Sequence, residues 1–238
     1  MSNNSKIEWT ECSWNPVTGC TKISTGCQNC YAATFAKRLK AMNNPRYLNE
    51  FTVTIHEDLI EAPLNWKKPK RIFVNSMSDI FHEEIPDEVI LKIFETMNRA
   101  SWHTFQVLTK RSERMLTFSN KINWTNNIWM GVTIENSDNI FRVNHLVEVG
   151  AKTKFVSAEP LISSLNELSL KGIDWIIVGG ESGHNCRPIL DLWVKELRDK
   201  AAIECVPFFF KQWGGKNKKK SGRILDGQTY DEYPLTKF

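Results

Sequence analysis

Between residues 71 and 214 the chain repeats one rhythm: a short run of β-branched and aromatic residues, a few polar residues, then an amphipathic stretch. The apolar runs are RIFVNSM (71–77), TFQVLTK (104–110), NIWMGVTIE (127–135), TKFVSAEPL (153–161), IDWIIVGGES (173–182) and VPFFFKQWG (206–214). Most lack strict apolar–polar alternation, the mark of strands covered on both faces in a parallel sheet. PDEVILKIFETMNRA (86–100), SERMLTFSN (112–120), SDNIFRVNHLVEV (137–149) and ILDLWVKELRDKAAI (189–203) supply the helices. In the first of these, Pro86 suits the opening turn, and Val89, Ile90, Ile93, Phe94 and Met97 recur at helical spacing. A short strand before residue 19 adds a seventh to the series, AATFAKRLKAM (32–42) reads as its helix, and FTVTI (51–55) as an extra strand. The fold class is α/β. Such strands close into a parallel (β/α) barrel, stop at a partial barrel, or open as a doubly wound sheet. Polar residues at the ends of many strands favour the barrel-like form.

In parallel α/β folds functional groups gather at the C-terminal ends of strands. Those ends carry Ser76, Ser78 and Asp79; Thr109, Lys110 and Arg111; Thr133 and Glu135; Ser157 and Glu159; Gly179, Gly180, Glu181 and Ser182; and Lys211, Gln212 and Trp213. All fall on one rim. Paired Gly179 and Gly180 allow a ligand close to the backbone, and Glu181 can accept hydrogen bonds from an ammonium group. The spacing is not that of a dinucleotide-binding glycine fingerprint, and no phosphate-binding Gly-Lys-Ser/Thr loop occurs. The five histidines show no metal-ligand pairing at helical spacing; His82, just past a strand end, is the one placed to reach the rim.

GCTKISTGCQNCYA (19–32) puts Cys20, Cys27 and Cys30 within eleven positions, at the end of the first expected strand and so on the same rim. The polar N-terminus has no signal-peptide core, and no run approaches the roughly 20 apolar residues of a membrane span. A cytoplasmic protein with reduced thiols is expected, and six cysteines are too sparse for a disulfide scaffold. Three readings follow. A structural zinc site takes Cys12 as its fourth ligand and makes the chain a non-catalytic, zinc-stabilised binding protein with four cysteine ligands. A redox pair uses Cys27 and Cys30, without thioredoxin-like surroundings. An iron–sulfur cluster on three thiolates leaves one iron open for a substrate or cofactor.

A three-cysteine loop opening a strand–helix barrel resembles the radical S-adenosylmethionine (radical SAM) superfamily. Its commonest spacing is Cys-x3-Cys-x2-Cys; here six residues separate the first two ligands. WNPVTGCTKISTGCQNCYA, FVNSMSDIFHEEIP, LTKRSERM, SAEPL, DWIIVGGESG and FFFKQWGG also resemble, in order, the radical-SAM-like three-cysteine phage proteins of unknown function. The resemblance implies one barrel domain over 1–215, with a basic run and tail over 216–238. It implies a 4Fe-4S cluster on Cys20, Cys27 and Cys30, with S-adenosylmethionine on the open iron. Ser76, Ser78, Asp79, Glu135, Gly179 and Gly180 then hold the cofactor. Lys110, Glu159, Glu181 and Lys211 form the catalytic, substrate-side set, with Arg111, Arg187 and Gln212 beside them. Lys110, Arg111, Arg187, Lys211 and the 216–220 lysines read as a basic rim for phosphates, so a nucleic acid or nucleotide substrate is expected; Trp213 could stack a base, but a core role is expected of it.

Overall fold

The computed structural model describes residues 5 and 7–235; the polar chain start (1–4 and 6) and the last three tail residues lie outside them. Nine strands are present among these: β1 (Cys12–Trp14), β2 (Val17–Thr18), β3 (Thr54–Ile55), β4 (Arg71–Val74), β5 (Thr104–Thr109), β6 (Ile128–Thr133), β7 (Thr153–Ala158), β8 (Trp175–Gly179) and β9 (Phe208–Gln212). The helices are α1 (Tyr31–Ala41), α2 (Glu57–Ile60), α3 (Asp87–Arg99), α4 (Ser112–Phe118), α5 (Phe141–Glu148), α6 (Asp191–Ile203) and α7 (Lys218–Ser221). Seven strands form one parallel sheet in the order β1-β4-β5-β6-β7-β8-β9. Consecutive strands are neighbours throughout, and β1 does not meet β9, so the sheet curls into a half-barrel. The 51–55 run contributes β3, which pairs antiparallel with β2 in a ribbon outside the barrel wall.

The outer face of the sheet packs on the helices. Val89, Ile90, Ile93, Phe94 and Met97 of α3, the residues picked out by their spacing, are all buried in the large apolar cluster there. Inside the half-barrel the side chains of most strands run in layers. Phe73, Trp129, Phe155, Trp175 and Phe209 form an aromatic floor, sealed by Trp9 from the chain's start. Two residues further along their strands stand Asn75, Gly131, Ser157, Ile177 and Lys211, then Thr133, Glu159 and Gly179. Polarity thus rises towards the C-terminal ends.

The C-terminal segment packs back. Leu225 enters the core, Phe210 N donates to the Tyr230 carbonyl (3.0 Å), and Trp175 Nε1 donates to the Glu232 carbonyl (2.8 Å). A bridge between Phe209 and Asp231 covers the outer edge of β9, where unpaired strand groups would otherwise face water. No helix among the described residues is long and apolar enough to cross a membrane.

The floor is tightly filled at Gly131, where an added Cβ would meet the Phe155 ring at 2.5 Å. Gly131→Ala is expected to cost about 1–3 kcal/mol in urea unfolding, the range for overpacking. Combining it with Phe155→Leu should cost less than the sum of the single changes, because the two side chains compete for one space.

Candidate active site

The polar layers enclose a cavity of about 400 Å³, within the usual range for small-molecule sites. Cys20, Cys27 and Cys30 all line it, as free thiols. Four other lining residues, Trp9, Asn75, Ser157 and Gln212, each carry a buried polar side-chain atom without a partner: Nε1, Nδ2, Oγ and Oε1 respectively. Buried polar groups are normally satisfied; these four atoms lie just beneath the cavity surface, without accessible area of their own.

The cysteine loop has little regular structure of its own beyond one turn of 3-10 helix at Thr25–Cys27. Charged and polar groups at the strand ends hold it at three places. On the β4–β5 side, Arg111 donates to Cys20 Sγ (3.4 Å) and Thr21 Oγ1 (2.8 Å), while His82 Nε2 lies 2.8 Å from Thr21 Oγ1. Beyond β6, Ser24 Oγ donates to Glu135 Oε1 (2.5 Å). Gly26 lies so close to Glu135 that a Cβ there would collide with its side chain. Beyond β8, Asn29 Nδ2 donates to Glu181 Oε2 (3.0 Å) and Arg187 to the Thr25 carbonyl (2.9 Å). Glu181 and Arg187 are themselves ion-paired (2.5 Å).

These contacts set the local electrostatics. Burial pushes the Cys20 thiol up to about 11, reinforced by Asp79 and opposed by Arg111. Burial also acts to raise Cys27, but the Lys110 charge and hydrogen bonds from Ile23 and Ser24 outweigh it and hold that thiol below its ordinary value. Burial would raise Glu181, yet Arg187 and Asn29 hold its carboxyl below the usual range. The Glu181 contribution to loop stability is therefore complete at neutral pH and fades as the pH falls through the carboxylate range.

The strand-end residues divide into two groups. Glu159 and Lys211 face the cavity as an ion pair (2.9 Å). The others are largely engaged in holding the loop or the barrel. Asp79 accepts from Thr109 Oγ1 (2.7 Å) and Lys110 N (3.0 Å) and pairs with Arg111 (3.4 Å). Ser76 Oγ donates to Asn15 Oδ1 (3.1 Å) and Ser78 Oγ to the Gly19 carbonyl (2.6 Å). Glu135 is fully buried, with Arg142 at 2.7 Å and Lys110 at 3.9 Å. Gly179 leaves room for Glu159 (an added Cβ would lie 2.6 Å from Oε1), and Gly180 for the Trp213 carbonyl. Those glycines make space for the chain's own atoms.

Two expectations are corrected. Cys12 cannot complete a four-cysteine zinc site as arranged: it is buried in β1 within the outer apolar cluster, its Sγ facing the Arg71 carbonyl (3.9 Å), and it does not line the cavity. Most of the basic rim is internally paired, since Lys110, Arg111, Arg187 and Lys211 each approach a carboxylate of the chain, as does Lys218 of the 216–220 run. Trp213 packs edge-on to Phe210 and donates to the Ile224 carbonyl (2.9 Å), the core role expected of it. Sequence reasoning missed Ser24, Gly26, Asn29 and Arg142. Arg142 sits on the inner side of α5 (3% exposed), where its helical position carries no sign of a carboxylate seven residues back.

The family model described as a protein of unknown function, DUF5131, matches residues 4–234. The chain belongs to that family. No curated protein matches it. Among solved structures, a cysteine-to-serine mutant of spore photoproduct lyase is similar with a TM-score of 0.53 and 14% identity, over 84% of this chain and 63% of that one. A double mutant of the same enzyme with bound AdoMet and dinucleoside spore photoproduct gives 0.49 and 12%, over 80% and 60%. The complex with dinucleoside spore photoproduct gives 0.48 and 12%, over 78% and 59%. The chain spans 59% to 63% of the length of these structures. At 14% identity the likeness to the first of these shows the fold alone, a partial parallel (β/α) barrel.

The donor types suit an iron–sulfur cluster: three free thiols line one cavity, with Arg111 donating to Cys20 and the Lys110 charge acting on Cys27. Among the described residues no three His, Cys, Asp or Glu groups converge on a single-ion position. A cluster whose thiolates each take a different iron needs no such shared centre.

The buried Glu135–Arg142 pair yields a stability test. Arg142→Met leaves Glu135 buried without its principal cation and is expected to lower the unfolding free energy by about 3–5 kcal/mol. Adding Glu135→Gln should recover part of that loss in the same urea titration.

Proposed function

We propose that the chain is a radical SAM enzyme in which Cys20, Cys27 and Cys30 hold a 4Fe-4S cluster and S-adenosylmethionine occupies the cavity they line. The observation that carries this reading is the lining of one cavity by all three thiols, with the cations Lys110 and Arg111 in the same lining. When bound, such a cluster supplies the electron that reductively cleaves the sulfonium of S-adenosylmethionine and so opens radical chemistry on the substrate.

The chain's own residues bind, orient and exclude water. Asn75, Ser157 and Gln212 line the cavity and each keep a buried unpaired polar atom, which side-chain rotation on binding would turn to the polar groups of the cofactor. Ser76, Ser78, Asp79 and Glu135 serve the cofactor indirectly, by fixing the loop that carries the thiols. Gly179 and Gly180 keep Glu159 and the Trp213 carbonyl in place at the wall. Trp9, Phe73 and Leu108 give the cavity an apolar side that excludes water. Glu159 and Lys211, ion-paired at the cavity wall, form the catalytic pair on the substrate side. Lys110 tunes Cys27, and Glu181 fixes Asn29 between the second and third thiols. A nucleic acid or nucleotide is the substrate class, and a reducing compartment, the cytoplasm, suits the free thiols.

Anaerobic reconstitution with iron and sulfide tests this reading. About four irons per chain and thiolate-to-iron visible absorption are expected. Cys27→Ala and Cys30→Ala should abolish both, and Cys12→Ala should retain both. Purification with one tightly bound zinc that is lost in Cys12→Ala would overturn the cluster assignment.

A further inference from the structure

From Cys12 to Asn49 the chain has no Asp or Glu but carries Lys22, Lys37, Arg38, Lys40 and Arg46. Two of these cations are turned to nearby carboxylates: Lys40 to Glu50 (3.5 Å) and Arg46 to Asp58 (2.6 Å). Three line a second cleft of about 560 Å³, between α1 and residues 182–185. They are Lys22, Lys37 and Arg38, joined there by His184, and no acidic residue lines this cleft. Lys37 makes only a 3.9 Å approach to Glu50, with its side chain 71% exposed. Lys22 donates to the Gln28 carbonyl (2.9 Å), and neither it nor Arg38 has a carboxylate partner among the described residues.

The same cleft contains two exposed aromatic rings one helical turn apart on α1, Tyr31 (55% exposed) and Phe35 (47%). It also adjoins the active-site cavity, because Asn29, Cys30, Tyr31 and Ser182 line both. Unpaired cations without acidic competitors attract a phosphate chain, and exposed rings offer stacking faces that only unpaired bases can reach.

We propose that this cleft binds single-stranded nucleic acid. Bases stack on Tyr31 and Phe35, phosphates lie against Lys22, Lys37 and Arg38, and one nucleotide passes Cys30 and Ser182 into the cavity. That last step rests on the enzyme reading above and gives it a substrate class; the surface binding stands independently.

The test is fluorescence anisotropy with a labelled oligothymidylate of about 12 nucleotides, within the span of known single-strand sites, using the iron-reconstituted chain. The wild-type chain should bind it, and unlabelled duplex DNA should compete less well than unlabelled single strand. K37E/R38E is expected to weaken binding roughly tenfold or more and to reduce the salt slope by about 1.4, two phosphate contacts' worth. Phe35→Ala should weaken it roughly tenfold with the salt slope unchanged. All three side chains are exposed, so circular dichroism should confirm unaltered folding. No binding, equal binding by both variants, or a wild-type dimer that Phe35→Ala dissolves would overturn the proposal. Iron content of the same samples separates the two claims. A cluster-bearing chain that ignores the oligonucleotide refutes the cleft alone, whereas a chain that binds through these residues but takes up no iron refutes the cluster alone.

Discussion

The carboxylate of Glu135 is buried just past the end of β6 with no exposure to solvent, and the placement of the cysteine loop depends on it. A carboxylate in that position is costly unless charge and hydrogen bonds compensate it. Arg142 does so from one side and Ser24 from the other, with Gly26 allowing the loop to come down onto the side chain. Two consequences follow from one residue: α5 is tied to the inside of the barrel mouth, and the segment between Cys20 and Cys27 is fixed over it. Buried ion pairs add little net stability compared with apolar packing. Here the pair instead specifies a position for a loop that has no apolar core of its own. Glu181 repeats the arrangement two strands away, with Arg187 as its cation and Asn29 as its loop contact.

The layered interior explains why the cavity lies where it does. On β7 the inward positions read Phe155, Ser157 and Glu159; on β8 Trp175, Ile177, Gly179 and then Glu181. Large rings fill the narrow end, smaller residues leave a void above them, and charged residues close the rim. Because the void falls at the small and hydroxyl-bearing layer, the residues around it include Ser157, whose buried Oγ no neighbouring side chain reaches.

Much of this architecture is legible in the sequence because it comes from local rules. Apolar runs gave all the sheet strands from β4 to β9, helical spacing gave α3 and α6, and the short connection after β7 was visible as such. The strand ends likewise marked the rim. Pairing among those ends was not legible, since it depends on contacts across the barrel. Nothing local in GCTKISTGC shows that Ser24 meets Glu135, 111 positions later. A basic rim read from Lys110, Arg111, Arg187 and Lys211 overlooked the acids that the fold sets opposite them. Gly179 and Gly180 looked like openings for a ligand for the same reason: a glycine reveals that something approaches closely, without revealing what. Trp9, in a stretch that reads as polar, turned out to plug the floor.

Charge on this face is therefore segregated by partner rather than by amount. Cations at the strand ends are spent on carboxylates of the same rim, where they position the loop and tune its thiols. Those on α1 and the preceding loop arise from a stretch without any acid, so the fold offers them few partners nearby. The one segment that carries Cys20, Cys27 and Cys30 also supplies the unpaired cations and exposed rings beside the cavity. A polyanion drawn to that segment is held next to the thiols by the same loop anchors that position them, Glu135 and Glu181. Binding and chemistry would then share a single mechanical reference, and a shift in the loop would displace both together.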